Sequence, residues 1–321
     1  MYFATAFVLL LASTSVYSKD EGETLFNKRR RSPKVYLALG DALPAGTSDE
    51  IPGAGISVPF SEVNYPNILN QLLGKRRFDQ VINLSCPNEN TATMLDGNDG
   101  NELYPDGSLC YGTVAPLAPT VNLNGNTSSQ LNAAKYILAN YDVGLITITL
   151  GGNDGILCLE KGLSGADFLA CALSQLDGVK LNLKTLLDEL VILDPKIPIL
   201  ISNYYIPFLA FELPGTPPFL KGNAQVYIQA NFVINEVIAD VVESVEGKSV
   251  KVVDLESAFD SRDESGKPLP KNVVTICRLT NTCEKEGKNK WVYHTPNADI
   301  FPNKEGDTKV AQTFLKMLKR G

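Results

Sequence analysis

The stretch Val35–Gly46, with the sequence VYLALGDALPAG, decides the fold that we predict for this chain. Its first five residues, Val35–Leu39, form a short apolar run with the composition of a buried strand, and the turn that starts at Gly40 ends it. Four further runs of this kind follow along the chain. These predicted strands are Gln80–Leu84, Gly144–Leu150, Ile197–Ser202 and Val250–Asp254.

Longer segments of helical periodicity separate the predicted strands. The clearest is Val226–Val245, where valine and alanine recur at steps of three and four residues. Other helices are predicted in the run that contains Leu131 and Leu138, over Leu169–Leu193 and around Phe314. Strands that alternate with helices indicate parallel βαβ units. The sequence therefore predicts an α/β fold, a three-layer αβα sandwich with a parallel sheet of about five strands, whose ligand site lies where the strands end.

The beginning of the chain has the features of an exported protein. Residues 1–18 combine an apolar stretch with small residues at a suitable cleavage position, which predicts a signal peptide. Residues 19–31 end in the basic run Lys28–Arg31 and are interpreted either as a propeptide or as a disordered leader. Residues 32–321 are expected to form a single domain, since no Pro/Gly/Ser-rich linker divides them. No later stretch is long and apolar enough for a membrane span, so we expect a secreted, extracellular protein.

Net charge narrows the classes of partner. Removal of residues 1–31 takes away five of the 29 Lys and Arg and three of the 36 Asp and Glu, so the formal charge moves from −7 to about −9. An acidic surface of this kind repels polyanions, and nucleic acid is therefore disfavoured as a partner class. The sequence identifies no protein partner.

Six cysteines in an exported chain without a Cys-x-x-Cys pair predict disulfides rather than a zinc site. Short loops favour three pairs, although the sequence leaves other connectivities open. The favoured pairs are Cys86–Cys110, Cys158–Cys171 and Cys277–Cys283. Asn126, in an Asn-Thr-Ser sequence within a polar loop, is a predicted glycosylation site. We expect no metal and no cofactor.

Four segments that follow predicted strands or precede the last predicted helix carry a family resemblance. They are YLALGDALPAG (Tyr36–Gly46), INLSCPNENTATML (Ile82–Leu95), TITLGGNDGILC (Thr147–Cys158) and ADIFPNKEGDTKVA (Ala298–Ala311). In this order and at these spacings they resemble the four blocks of the SGNH/GDSL hydrolases, a family of esterases and lipases. The likeness extends to ISNYYIPFLA and ICRLTNTC, which resemble a secreted, disulfide-bonded branch, and it covers nearly the whole mature chain.

The resemblance implies serine-hydrolase chemistry, but two of the residues that this chemistry needs are replaced. In the family, a serine after the first strand attacks an ester carbonyl and a histidine before the last helix takes its proton. Ala42 stands at the serine position and Phe301 at the histidine position. Asp299 matches the aspartate that orients the histidine. Loss of the nucleophile or the base alone costs a comparable serine hydrolase roughly 10⁶ in rate, so catalysis is expected to be absent.

The resemblance also implies where an oxyanion or another ligand atom would bind. The third block, which contains Gly152 and Asn153, is intact. In the second block the family's glycine position falls at about Asn88, whose side chain hinders close approach of a substrate. Asn153 is interpreted either as a ligand donor or as a side chain that closes a loop, and the sequence leaves both interpretations open.

Two further features have two interpretations each. His294 is the only histidine and lies seven residues before Phe301, where it is either a substitute base or, as we favour, simply exposed. The segment that runs from Pro207 to Phe219 is rich in proline and phenylalanine. It is interpreted either as the apolar wall of an acyl-binding groove or, as we prefer, as a rigid loop over the core.

Three functional hypotheses follow, and the first is preferred. It is a secreted pseudo-esterase that binds a small ester, an acyl chain or other lipid, or a glycan in the former cleft without turnover. The second is an active carboxylic-ester hydrolase, that is, a lipase or esterase with a rearranged site that uses His294. The third is an extracellular structural or interaction protein, for which a cleft filled by side chains is expected.

Overall fold

A computed structural model describes most of the chain. The described residues are 33–46, 64–74, 77–97, 114–115, 118–125, 128–160, 163, 165–247, 249–261, 270–288, 290–294 and 299–320. The predicted signal peptide, the leader, Cys110 and Asn126 lie outside these ranges.

The strands of the central sheet alternate with helices along the chain, as the sequence predicts, and four further strands form two antiparallel pairs. The strands are β1 (Lys34–Gly40), β2 (Gln80–Asn83), β3 (Val114–Ala115), β4 (Ala118–Asn122), β5 (Asp142–Thr149), β6 (Ile199–Ser202), β7 (Val250–Val253), β8 (Cys283–Glu286) and β9 (Lys290–Tyr293). The α-helices are α1 (Ala42–Ala45), α2 (Tyr65–Leu73), α3 (Thr91–Asp96), α4 (Gln130–Asn140), α5 (Gly152–Glu160), α6 (Gly165–Leu193), α7 (Pro218–Ser244), α8 (Leu255–Ala258), α9 (Pro270–Leu279) and α10 (Lys304–Lys319). A 3₁₀ helix covers Pro207–Glu212.

Five parallel strands form the central sheet, in the order β2-β1-β5-β6-β7. The five predicted strands are confirmed, with ends that differ by one or two residues. From β1 the chain passes to β2 on one side and then returns to β5 on the other side of β1. In sheets of this kind, ligands bind beyond the carboxyl ends of the strands at such a reversal.

Helices cover both faces of the sheet. Successive side chains of β1 point to opposite faces and pack against different helices. Val35, Leu37 and Leu39 pack in one apolar cluster with residues of α4, α6 and α7. Tyr36 and Ala38 point to the opposite face, into a cluster with residues of α2, α9 and α10. Since every one of these side chains is buried, the strand reads in the sequence as one continuous apolar run. The predicted three-layer αβα sandwich is therefore confirmed.

The end of β1 lies unusually close to the end of β5. The backbone N–H of Asp41 donates to the Thr149 carbonyl at 3.0 Å. Gly40 has φ 124°, and a Cβ atom at this position would lie 2.0 Å from the same carbonyl oxygen. Only glycine combines this φ with so close an approach, and the contact brings the turns after the two strands together.

Two of the predicted disulfides are confirmed. Cys158–Cys171 connects α5 to α6, and Cys277–Cys283 connects α9 to β8. Cys86 is also disulfide-bonded, but its expected partner lies outside the described residues, so that pairing stays a prediction. None of the described helices is both long and apolar enough to cross a membrane.

Candidate functional site

A cavity of about 120 Å³ lies beyond the carboxyl ends of β1, β5 and β6. Its lining combines the turns after these strands with one side of α6 and α7 and with residues 300–301. The lining residues are Asp41, Ala42, Leu43, Gly151, Gly152, Asn153, Asp154, Gly155, Phe168, Ala172, Gln175, Leu176, Val179, Tyr204, Tyr205, Pro207, Phe208, Tyr227, Ala230, Asn231, Ile234, Ile300 and Phe301. The cavity thus contains both positions at which the resemblance implies catalytic side chains.

Ala42 is the first residue of α1, directly after the turn that ends β1. Asp41 caps this helix, because its carboxylate accepts the backbone N–H of Leu43 at 3.1 Å. Gly46 closes the helix in the left-handed conformation. The turn is therefore held by residues 41 and 46, and the side chain that it presents to the cavity is a methyl group.

Phe301 lines the cavity from the segment before α10. Asp299, the position of the orienting aspartate, is buried, and its carboxylate accepts the backbone N–H of Phe301 at 2.8 Å. The backbone carbonyl of Asp299 accepts the Thr282 hydroxyl at 2.9 Å. Asp299 therefore closes the turn that positions Phe301.

Two of the residues expected to form an oxyanion site, Gly152 and Asn153, make hydrogen bonds within the protein. The Asn153 side-chain amide donates to the carbonyls of Pro87 at 2.9 Å and Glu89 at 2.8 Å. Its two N–H groups thus close the second-block loop, which favours the loop-closing interpretation. Asn88, between these two carbonyls, is exposed and does not line the cavity. The Gly152 backbone N–H donates to the Tyr204 hydroxyl at 3.0 Å.

Tyr204 connects the ends of three strands through its hydroxyl. The hydroxyl accepts from Gly152, after β5, and donates to the Asp41 carboxylate, after β1, at 2.5 Å. Burial raises the pKa of Asp41 to about 7, although the hydrogen bonds from Tyr204 and Leu43 lower it. Burial, together with the neighbouring Asp41, raises the pKa of Tyr204 well above its ordinary value. The phenol therefore remains a donor at neutral pH.

A second polar network fixes the second-block loop behind the cavity. The Gln130 side chain exchanges two hydrogen bonds with the backbone of Gly40, at 2.5 and 3.1 Å. Its amide also donates to the buried Glu89 carboxylate at 2.6 Å. Asp154 accepts from the backbone N–H of Thr91 at 3.0 Å and from its hydroxyl at 2.6 Å. Burial raises the pKa of Asp154, and the bonds from Thr91 oppose this rise.

The segment from Pro207 to Phe219 divides between the two interpretations given above. Leu209 and Phe211 are buried in the core, as expected for a covering loop. Pro207 and Phe208 instead line the cavity, so the loop also supplies part of an apolar wall. Phe219 is 54% exposed, so it lies neither in the buried core nor in the cavity wall.

His294 does not line the cavity. It follows β9, its Nε2 lies 3.6 Å from the Glu284 carboxylate, and its backbone N–H donates to the Thr282 carbonyl at 3.0 Å. The histidine is therefore part of the β8–β9 hairpin region, away from Ala42.

The sequence patterns assign no role to Tyr204, Gln130 or Tyr227, all of which contribute to the site or its support. A signal for Tyr204 is present, because ISNYYIPFLA begins with the last two residues of β6, which places Tyr204 at the same sheet edge as Asp41. Tyr227 belongs to an apolar helical stripe, and such a stripe does not distinguish a core residue from a cavity residue.

Comparisons with known proteins agree with this architecture. No protein-family model and no curated protein matches the sequence. Among solved structures, the extracellular lipase from Streptomyces rimosus is similar, with 15% identity, a TM-score of 0.52 and coverage of 89% of this chain and 99% of that one. Phospholipase A1 from Streptomyces albidoflavus NA297 matches with 15% identity and a TM-score of 0.50, over 90% of this chain and 99% of the other. The chain therefore has the three-layer αβα fold of these enzymes, the SGNH hydrolase-like fold that the sequence predicts.

Proposed function

We propose that the protein is a secreted pseudo-esterase that binds a small, mainly apolar ligand and does not hydrolyse it. One observation carries this proposal: Ala42 and Phe301 both line the cavity where the nucleophile and the base would be needed. A methyl group cannot attack a carbonyl, and a phenyl ring cannot accept a proton.

The rest of the lining offers no replacement. Among the described residues of the cavity wall there is no serine, threonine, cysteine, histidine, lysine or arginine. The acidic residues, Asp41 and Asp154, are held by hydrogen bonds from Tyr204, Leu43 and Thr91. The hypothesis of an active hydrolase based on His294 is disfavoured, since this histidine lies elsewhere.

The cavity itself supports ligand binding over a purely structural role. Side chains leave about 120 Å³ of space, whereas the structural hypothesis expects a filled cleft. Aromatic and aliphatic side chains dominate the wall, as in sites for apolar molecules. A glycan needs many hydrogen-bonding partners, and the polar groups Asn153, Gly152 and Tyr204 already bond within the protein. We therefore favour an acyl chain, or the apolar part of an ester, over a glycan.

Export is supported by the disulfides Cys158–Cys171 and Cys277–Cys283, because such bonds persist in oxidising compartments.

Hydrolysis of a short-chain nitrophenyl ester tests the catalytic part of the proposal. We expect the native protein to match the buffer rate. A variant with Ala42→Ser and Phe301→His is expected to gain weak turnover, because nucleophile and base return while Asn153 stays engaged with the second-block loop. Each single substitution serves as the matched control and is expected to remain silent, since nucleophile and base act as a unit.

Substantial turnover by the native protein, abolished by His294→Ala, would contradict the proposal and favour the rearranged hydrolase. If the double variant is silent, adding Asn88→Gly tests whether the second-block loop prevents catalysis.

A further inference from the structure

One residue that lines the cavity, Tyr227, has a buried polar atom without a partner. Tyr227, on α7, is 1% exposed, and its hydroxyl makes no hydrogen bond within the described part of the chain. The other two tyrosines of the lining are both satisfied. Tyr204 donates to Asp41, and the Tyr205 hydroxyl donates to the carbonyl of Ile300 at 2.7 Å. Of these three lining tyrosines, Tyr227 alone has a hydroxyl without a hydrogen-bond partner among the described residues.

The Tyr227 ring packs among other aromatic side chains. The ring packs edge-on against Phe168, with centroids 5.0 Å apart, and lies 5.5 Å from Phe208 and 6.1 Å from Phe211. None of these aromatic neighbours offers a conventional acceptor. A buried hydroxyl without a partner costs folding free energy, so its persistence in a cavity wall needs an explanation. Burial raises the pKa of Tyr227, which keeps the hydroxyl protonated and able to donate.

The charges of the cavity restrict what enters it. No cationic side chain occurs among the described lining residues, and the acidic ones, Asp41 and Asp154, are already engaged within the protein. An anion such as a free fatty-acid carboxylate would enter without a counter-charge, beside two carboxyl groups. Since burying an unpaired charge is expensive, the cavity favours neutral molecules.

We propose that Tyr227 is the polar anchor of this cavity, and that the ligand is a neutral, mainly apolar molecule with one hydrogen-bond acceptor, such as a carbonyl oxygen. This inference rests on the proposed binding function and sharpens it. The Tyr227 hydroxyl has less than 1 Å² of accessible surface without a ligand, so its side chain has to shift when a ligand enters the cavity. The ligand's polar group then pairs with this hydroxyl, and its apolar part lies among Phe168, Phe208 and Ile234. The acceptor is therefore placed at α7, and the former nucleophile position at Ala42 contacts only the apolar part.

The size of the cavity sets the choice of probes. Its volume of about 120 Å³ is close to that of an engineered apolar cavity, roughly 150 Å³, that binds benzene. Acetophenone and ethylbenzene form a suitable pair, because they have nearly the same shape and only acetophenone has an acceptor.

The experiment is a calorimetric titration of the native mature protein with each probe. We expect acetophenone to bind roughly 2- to 13-fold more tightly than ethylbenzene, as one added hydrogen bond implies. In Tyr227→Phe, this preference is expected to disappear while the affinity for ethylbenzene stays within about twofold. The matched control is Tyr205→Phe, which removes a hydroxyl that is already satisfied by Ile300 and should leave the preference intact.

The outcomes separate the anchor from the proposed function. Equal binding of both probes by the native protein would overturn the anchor while leaving ligand binding supported. A preference that survives Tyr227→Phe would also overturn it. If neither probe binds the native protein, the apolar binding function fails, and the anchor fails with it. The comparison within the native protein needs no variant, so the proposal stays testable even if Tyr227→Phe does not fold.

Discussion

At the scale of single residues, the turn that contains Ala42 does not depend on the side chain of that residue. The turn after β1 depends on the positive φ of Gly40, the cap made by Asp41 and the left-handed Gly46. None of these features involves the side chain of residue 42. We therefore expect Ala42→Ser to leave the geometry of the turn unaffected.

The buried carboxyl of Asp41 gives a prediction about pH. Its pKa is about 7 in the folded protein against 3.8 as the ordinary value, so the folded state holds the proton more tightly than the unfolded state. The contribution of Asp41 to the free energy of unfolding is therefore fully present below pH 3.8. It is lost as the pH rises to about 7. The loss is on the order of 4 kcal/mol. Asp41→Asn is expected to flatten this fall in urea unfolding measured from about pH 4 to 8.

Asp154 and Asp307 also have raised pKa values because they are buried, so part of the slope should persist in Asp41→Asn. Asp240→Asn removes an exposed carboxylate instead of a buried one, and it serves as the control for the loss of one negative charge. An identical slope in the native protein and in Asp41→Asn would contradict the assignment.

At the scale of elements, the contact between β1 and β5 depends on Gly40. We expect Gly40→Ala to lower the free energy of unfolding by at least about 2 kcal/mol, because it combines an unfavourable φ with a clash against the Thr149 carbonyl. Urea unfolding measures this loss. The control is Gly125→Ala, which also has a positive φ, 78°, but has no atom within 4 Å of the new Cβ. If both variants lose the same free energy of unfolding, the contact of the new Cβ atom with the Thr149 carbonyl does not destabilise the protein.

At the scale of the whole molecule, the two described disulfides connect elements that lie outside the central sheet. Cys158 and Cys171 are 13 residues apart in the sequence and join α5 to α6 beside the cavity, where Cys158 shares a cluster with Phe168 and Tyr227. Replacing both cysteines by serine is expected to cost about 3 kcal/mol through loop entropy. The measurement is thermal or urea unfolding of the double variant.

The second disulfide supplies the comparison for this prediction. Cys277 and Cys283 are only six residues apart, so their removal should cost slightly less. A double variant of Cys158 and Cys171 with native stability would contradict the loop-entropy argument.

The sequence by itself determined the parallel strands, the helices between them and the identity of the residues at positions 42 and 301. Strand and helix patterns depend on local periodicity, and the block pattern depends on spacing along the chain. Both kinds of pattern can therefore be recognised from the sequence alone. Ala42 directly follows a predicted strand, and Phe301 belongs to the block before the last helix. Their order and spacing therefore suffice to assign both to the carboxyl end of the sheet, where they line the cavity.

Only the tertiary structure decided how the polar groups of the site are used. Tyr204 and Asp41 are 163 residues apart, and Asn153 bonds to a loop more than 60 residues earlier in the chain. Nor does any local pattern show that His294 lies away from Ala42 or that the Tyr227 hydroxyl has no partner within the described residues. The physical reason is that hydrogen-bond satisfaction and cavity lining depend on distances between elements remote in sequence, which periodicity and spacing do not encode.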